Sequence, residues 1–476
     1  MTNKKPSAII SVLPLLTLVA MVAMSITIFG SDALNGASQV SLMMATAVCI
    51  CLAMTIYKKP WKEIEDCITE TIGSSSISII ILLLIGMMSG TWMISGVVPT
   101  LIYYGIQIMS PVFFLFCSCA ICAIVSVMTG SSWTTVATIG IALLGIGNAL
   151  GIPHPWTAGA IISGSYFGDK ISPLSDTTVL ASNSARVDIF EHIKYMLHTT
   201  VPTFTITLVI FFIAGLVFGS SGNTDVYTYT EGLNKTFNIN LLTLFVPIFT
   251  GILIFKKVPS LITLFLSTIA AAITALVLQT DIIALIGGTQ NDMSAYNLIK
   301  GTMITIFTST HIDTGNAALN DLVETHGMAG MLNTIWLILC AMTFGGAMAA
   351  TGMLESITKV ILSLVRGRTS LVAATACTGL SLNLITSDQY MSIVLAGDMY
   401  RDIYKKYGFR PHLLSRTTED STTVTSVLIP WNTCGMTQST VLGVATLDYL
   451  PYCFFNYLSP IMTILVAILH KRVKKA

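Results

Sequence analysis

Four short stretches interrupt apolar sequence with carboxylates, hydroxyls, proline and glycine: Thr129 to Thr135, Gly168 to Thr178, Thr386 to Tyr390 and Ile429 to Gly435. A helix broken at membrane depth frees carbonyls and hydroxyls, hard oxygen ligands for a small cation, and N–H groups that can hold a carboxylate. The pattern suits sodium and an anion equally. Pro173 has no N–H and clashes with the preceding turn, so the helix must open between Ile171 and Ser175. Asp176 stands at that break between Ser175 and Thr177. A carboxylate so placed can hold either a sodium ion or a proton, and the competing reading is a helix cap that satisfies orphan N–H groups. Asp388, in a Ser387-Asp388-Gln389 tip, has no cation near it in sequence; a buried, unpaired carboxylate is costly and implies a use.

Asp169 is read as a site residue, against an ion pair with the adjacent Lys170 or exposure in an aqueous vestibule. Glu355, in an apolar helix, is either a proton relay or an interfacial residue. His311 and Asp313 mark a further polar break, and a histidine near its ordinary pKa can sense pH. The alternating charges Arg186, Asp188, Glu191, His192 and Lys194 read as a solvated or interfacial helix. Trp61 to Glu70 reads as an amphipathic helix at the interface.

The elements that position these residues are membrane helices. Of 476 residues 53% are hydrophobic and only 10% charged, far below the usual quarter. Runs such as Ile9 to Phe29, Val40 to Tyr57, Ile77 to Met93 and Val201 to Phe218 approach the length that crosses roughly 30 Å of hydrocarbon, and must be helical to satisfy their own backbone. The first run lacks a small-residue cleavage site and is read as a retained span. Cys119 and Cys122 form a CxxC inside such a run and are expected to be apolar packing. A net charge of +1 gives no reason to expect a nucleic-acid partner. Signatures of ATP-driven or other enzymes are missing, so no enzyme and no cofactor are expected. A channel usually repeats like residues by symmetry, whereas these polar sets differ between the halves.

A self-comparison aligns Met128–Trp133 with Leu384–Gln389 and Ser95-Gly96 with Thr351-Gly352, both at one offset (387 − 131 = 256; 352 − 96 = 256). Lys4, Lys5, Lys58, Lys59 and Lys62 place the N-terminus and the loop after the second span in the cytoplasm, with the Asn35 loop outside. The tail from His470 to Lys475 and the basic stretch Arg401 to Arg416 are also predicted inside, and Lys256 and Lys257 are basic where their repeat partner near Ser31 is not. The fold expected is thus an all-α polytopic membrane protein of two inverted-topology repeats, 1–218 and 239–476, with re-entrant hairpins and broken helices and an external linker over 219–238.

Gly164-Ser-Tyr-Phe-Gly-Asp-Lys-Ile-Ser-Pro-Leu-Ser-Asp-Thr-Thr178, with Asp188–Ile193 and Thr200-Val-Pro202, resembles the NhaC family of bacterial sodium/proton antiporters. The resemblance implies a scaffold part and a transport part and a homodimer; with the charge distribution above, the expected location is the inner membrane with both termini cytoplasmic. It places the cation site at Ser131, Ser132, Ser175, Asp176 and Thr177, with sodium on Asp176, Ser175 and Thr177. The second-half counterpart is Ser387, Asp388, Asn432 and Thr433. There Asn432 and Thr433 replace Ser175 and Asp176, which puts a second equivalent sodium site in doubt. The resemblance thus implies that sodium is a transported substrate, with Asp176 and Asp388 expected to exchange it for protons. Some relatives exchange malate and lactate or carry amino acids, so the alternative is coupled exchange of a small carboxylate or amino acid, bound by broken-helix N–H groups with Thr134, Thr135, Asn432 or Gln438.

Overall fold

The computed structural model describes residues 6–29, 36–219, 226–288, 292–315 and 317–469. Lys4, Lys5, Asn35, the tail from His470 to Lys475 and residues 220–225 of the expected linker lie outside them. The described secondary structure is helical apart from one antiparallel bridge, Thr310 to Thr325. The first half contains α1 (Ala8–Phe29), α2 (Ala37–Thr55), α3 (Trp61–Ser74), α4 (Ser76–Ile94), α5 (Pro111–Thr129), α6 (Ser132–Ala149), α7 (His154–Ile171), α8 (Asp176–Ala185) and α9 (Ile189–Gly219). The second contains α10 (Ser260–Leu278), α11 (Leu332–Ala350), α12 (Arg368–Thr386), α13 (Gln389–Lys406), α14 (Pro411–Thr418), α15 (Thr433–Leu442) and α16 (Phe454–Leu469), with shorter helices between.

Among the described residues nine helices are long and apolar enough to cross a membrane, eleven if each of two bent pairs is one span. Their outer faces expose Ile9, Phe29, Ile124, Phe255 and Leu469, a surface suited to lipid and not to water. The protein is a multi-pass membrane protein. The amphipathic α3 buries Ile64 and packs Ile68 on Gly346 while Lys62 reaches Asp66 in solvent. The expected linker is structured from Val226 to Thr236 as a helix, followed by Phe237 packed in the core with Leu233.

α7 is too polar to count among the nine, yet every residue from Thr157 to Lys170 except Phe167 is buried. It is held deep by Gly164 and Gly168, a small-xxx-small pair that lets α7 lie against α5. A Cβ at Gly164 would stand 2.1 Å from the Cys119 carbonyl oxygen, and one at Gly168 2.4 Å from that of Ala123. Cys119 and Cys122 are free and buried on the α5 side of this contact.

α4 and α11 run antiparallel: Ser75, ahead of α4, donates to Met342 Sδ midway along α11, and Gly86 within α4 lies against Gly327 and Met331, ahead of α11. Left-handed residues recur in pairs at nearly constant separation: Lys58 and Gly315, Gly96 and Gly352, Gly130 and Ser387, Gly151 and Gly408, Arg186 and Gly443 (for example 387 − 130 = 257 and 352 − 96 = 256). Each marks a turn or helix end, so chain reversals recur at this spacing through both halves.

Gly164→Leu is expected to cost more than the about 1–3 kcal/mol typical of overpacking, because the obstacle is backbone. A lower melting temperature and loss of the monodisperse peak in detergent would register it. Gly251→Ala, with nothing within 4 Å, should leave both unchanged or raise the melting temperature.

Candidate functional site

Two interrupted helices meet at the centre of the first half. Gly130 turns the chain out of α5 with φ 67°, and Ser131 restarts it as the cap of α6, its Oγ accepting the Thr134 N–H at 3.2 Å. A Cβ at Gly130 would collide with the Leu174 backbone at 2.7 Å, so the two breaks touch. Beyond Pro173, Ser175 caps α8 by accepting the Thr178 N–H at 3.5 Å.

Asp169, in the last turn of α7, joins them. Its Oδ2 accepts the Ser132 N–H at 3.1 Å and the Ser132 hydroxyl at 2.7 Å, and its Oδ1 accepts the Ser175 hydroxyl at 2.6 Å. Ser175 Oγ is also 2.9 Å from Thr177 Oγ1. Asp169, Asp176, Ser131, Thr134, Ser175 and Thr177 line one cavity of about 380 Å³, closed on its other wall by Ile77, Ile81, Gln389 and Tyr390, with Lys257 also at its edge. Asp176 is exposed to this cavity, whereas Asp169 is 5% exposed. The carboxylate that binds both breaks is thus Asp169, with Asp176 facing the space beside it. Two acids, four hydroxyls and the N-termini of α6 and α8 give oxygen ligands for a cation and donors for an anion.

Ser387, Asp388, Asn432 and Thr433 also come together, around the starts of α13 and α15. Asp388 Oδ1 accepts the Met391 N–H at 2.8 Å and Oδ2 accepts the Thr433 hydroxyl at 3.5 Å. Asn432 Oδ1 accepts the Cys434 N–H at 3.1 Å, and the Ser387 carbonyl accepts the Thr433 N–H at 2.8 Å. None of these four lines the cavity; their neighbours Gln389 and Tyr390 do.

Three accessory residues lie apart from it. The Glu355 side chain is 66% exposed and pairs with Lys359 at 3.2 Å. His311 is 3.3 Å from Glu324. Asp313 is held below the usual carboxylate range by the Gly315 N–H and then by Asn320.

Sequence reasoning passed over a buried charge cluster beside the cavity. Lys170 does not pair with Asp169: its ammonium donates to Asp420 Oδ1 and to Ser459 Oγ at 3.0 Å, and lies 5.4 Å from the centre of the Phe455 ring. Arg416, at the end of the stretch expected in the cytoplasm, is 2% exposed with Nε 3.7 Å from Asp420 Oδ2. Glu419 is fully buried, and its Oε1 accepts the Thr177 hydroxyl at 3.2 Å. Glu419 and Asp420 lie on a π turn, Glu419–Thr423, an irregularity frequent at functional sites. The visible signal was an acid pair inside the Ser/Thr-rich run Ser415 to Ser426. Of the alternating charges after Arg186, His192 alone is buried, its Nδ1 2.9 Å from Ser415 Oγ, while Arg186, Asp188, Glu191 and Lys194 are exposed as expected.

A many-spanning helical protein with acids and hydroxyls gathered at interrupted helices is a membrane transporter. This chain belongs to the Na+/H+ antiporter family, which it matches over residues 1–188 and 164–470. It is 37% identical to the Na(+)/H(+) antiporter NhaC of Alkalihalophilus pseudofirmus over 85% of this chain and 84% of that one. It is 34% identical to the arginine/ornithine antiporter ArcD of Halobacterium salinarum over 98% and 92%, respectively. With the malate-2H(+)/Na(+)-lactate antiporter of Bacillus subtilis the identity is 34% over 84% and 82%.

Removing one partner from a buried ion pair leaves an uncompensated charge and costs about 3–5 kcal/mol. Asp420→Asn is therefore expected to lower thermal stability in detergent by that order, whereas Asp176→Asn, facing the cavity, should change it by no more than about 0.5 kcal/mol.

Proposed function

We propose that the protein exchanges sodium for protons across the bacterial inner membrane by alternating access, with sodium bound where Asp169, Asp176, Ser175 and Thr177 meet. The observation that carries this reading is the single cavity onto which both carboxylates and these hydroxyls open at the contact of two helix breaks. Family membership and the NhaC relative support sodium and protons as the exchanged species. Asp176 supplies the charge that meets an arriving ion, and Asp169 the charge already fixed by α6 and α8. Asp388 holds the second-half break together through its cap on α13.

The halves act as two inverted repeats. Antiparallel α4 and α11 and the repeated left-handed positions support this. The cavity borders the start of α4, which follows the lysine-bearing α3, and the loop carrying Lys257; these lysines belong on the cytoplasmic side. The state described is then the inward-open one, with both termini cytoplasmic and the protein a homodimer. A second reading, coupled exchange of a small carboxylate or amino acid, is favoured by the cavity volume, about 380 Å³, within the range of small-molecule sites, and by the ArcD and malate/lactate relatives.

Purified protein in liposomes loaded with a pH-sensitive dye separates the two. Sodium alone should drive proton movement. Asp169→Asn should abolish it, and Asp176→Asn should raise the sodium concentration for half-maximal flux by about 10- to 100-fold, the range seen when a supporting ligand is lost. Movement only after malate, lactate, arginine or ornithine is added would overturn sodium/proton exchange in favour of the second reading.

A further inference from the structure

The first turn of α15 has a cavity on either side. Met436, with Pro430 ahead of the helix, lines a further cavity whose opposite wall is Asn333, Thr334 and Leu337 of α11. Cys434 stands two positions earlier, about 200° around the helix, and is fully buried toward the first half. Its Sγ donates to Gln389 Oε1 at 3.0 Å, and Trp133, Tyr166 and Ser426 face the same thiol. Gln389 and Trp133 are themselves walls of the cavity that holds Asp169 and Asp176. What separates the two spaces is thus the turn from Thr433 to Met436 and the side chains packed on Cys434.

Gln389 ties this turn in place. Its Oε1 accepts from Cys434, and its Nε2 donates at 2.9 Å to the carbonyl of Thr423, the last residue of the π turn. The amide therefore spans from α15 to the charge-bearing segment, and at 2% exposure a lost bond would leave buried polar atoms unsatisfied. The first half does the reverse at the matching position. Ser132, 257 residues earlier (389 − 132 = 257), is short, and the carboxylate it binds lines the first cavity. An ion at Cys434 would meet amide, indole, phenol and hydroxyl groups in place of a carboxylate, too little to replace its water. Asp388, at the edge, is committed to the Met391 N–H and the Thr433 hydroxyl.

Resting on the antiport reading, we infer that Gln389 is a positioning residue that keeps the two cavities apart. It holds the first turn of α15 against α13, so an ion in the first cavity cannot leak to the second, and sodium crosses only in exchange for protons. The barrier is neutral and hydrogen-bonded, whereas the proposed ion site beside it is acidic. That contrast lets one region attract the ion while its neighbour refuses it.

The test compares wild type with Gln389→Ala in liposomes, measuring sodium entry and proton exit together. A charged, membrane-impermeant thiol reagent is then applied to both sides, and the labelled cysteines are read by mass spectrometry. Wild type should keep a fixed ratio of sodium to protons and leave Cys434 unlabelled. Gln389→Ala should lose the fixed ratio, with surplus sodium entry that a potassium diffusion potential accelerates, and Cys434 should become labelled while Cys119, buried between α5 and α7, stays protected. A purely structural defect would expose both thiols. In that case Gln389→Met, which keeps the length and removes both hydrogen bonds, is judged by the same two readouts. A fixed ratio or an unlabelled Cys434 in a variant that protects Cys119 would overturn the inference and leave sodium/proton exchange standing. Absence of sodium-driven proton movement in wild type would overturn the antiport reading and, with it, the role in coupling.

Discussion

The hydrocarbon interior supplies no hydrogen-bond partners, so every interrupted helix must find its own for the backbone groups it frees. Each of the four breaks is restarted by a polar side chain that accepts a backbone N–H: Ser131 for α6, Ser175 for α8, Asp388 for α13 and Asn432 for α15. Capping is thus inseparable from the site. Ser175 caps α8 while its proton goes to Asp169, and Asp169 in turn holds the start of α6 through Ser132. An ion that drew on these oxygens would compete with the bonds that keep the helices in place, which couples its arrival to their position.

The halves place left-handed turns at a nearly constant spacing and differ in where they keep charge. The first half supplies Asp169, Lys170 and Asp176; the second supplies Arg416, Glu419 and Asp420 on the π turn, and brings them against the first through Lys170 and Thr177. A buried lysine beside the proposed cation site would repel the ion if it were free. Its ammonium is instead committed to Asp420, Ser459 and the Phe455 ring, contacts from the opposite half. The two halves therefore hold complementary parts of one charge cluster.

The spans were legible because lipid burial imposes an apolar run of fixed length: the runs predicted at Ile9, Val40 and Ile77 appear as α1, α2 and α4. The breaks at Gly130, Pro173 and Ser387 were legible because glycine, proline and polar tips have direct backbone consequences. Which acid sits innermost was not. Asp169 and Asp176 are seven residues apart across a proline break, and sequence spacing carries no direction once a helix has opened; the structure buries the former and leaves the latter facing the cavity. Lys170, Arg416 and Glu419 were hidden for a related reason. Each is neutralised or hydrogen-bonded by a residue more than two hundred positions away, or by a neighbour one turn on, and charge in isolation reads as surface.

A second cavity, of about 360 Å³, lies against the break that precedes α15 and includes Asn333, Thr334, Leu337 and Pro430. Ile77, Ser78, Ile81 and Leu174 of the first cavity occupy the equivalent places, each 256 residues earlier (333 − 77 = 256; 430 − 174 = 256). The correspondence has a mechanical consequence for the proposed cycle. Each cavity is bounded by one long helix, α4 or α11, and by the break that faces it. Because those helices run antiparallel, widening one gap by sliding the breaks along them narrows the other. Asp169 and Asp176 line the first cavity, whereas the second has Asp448 on its wall and no acid at its helix break, so the exchange of access would move the proposed site between two vestibules and would not require a second copy of it. The same inequality explains why the second half can spend its own acid, Asp388, on capping a helix.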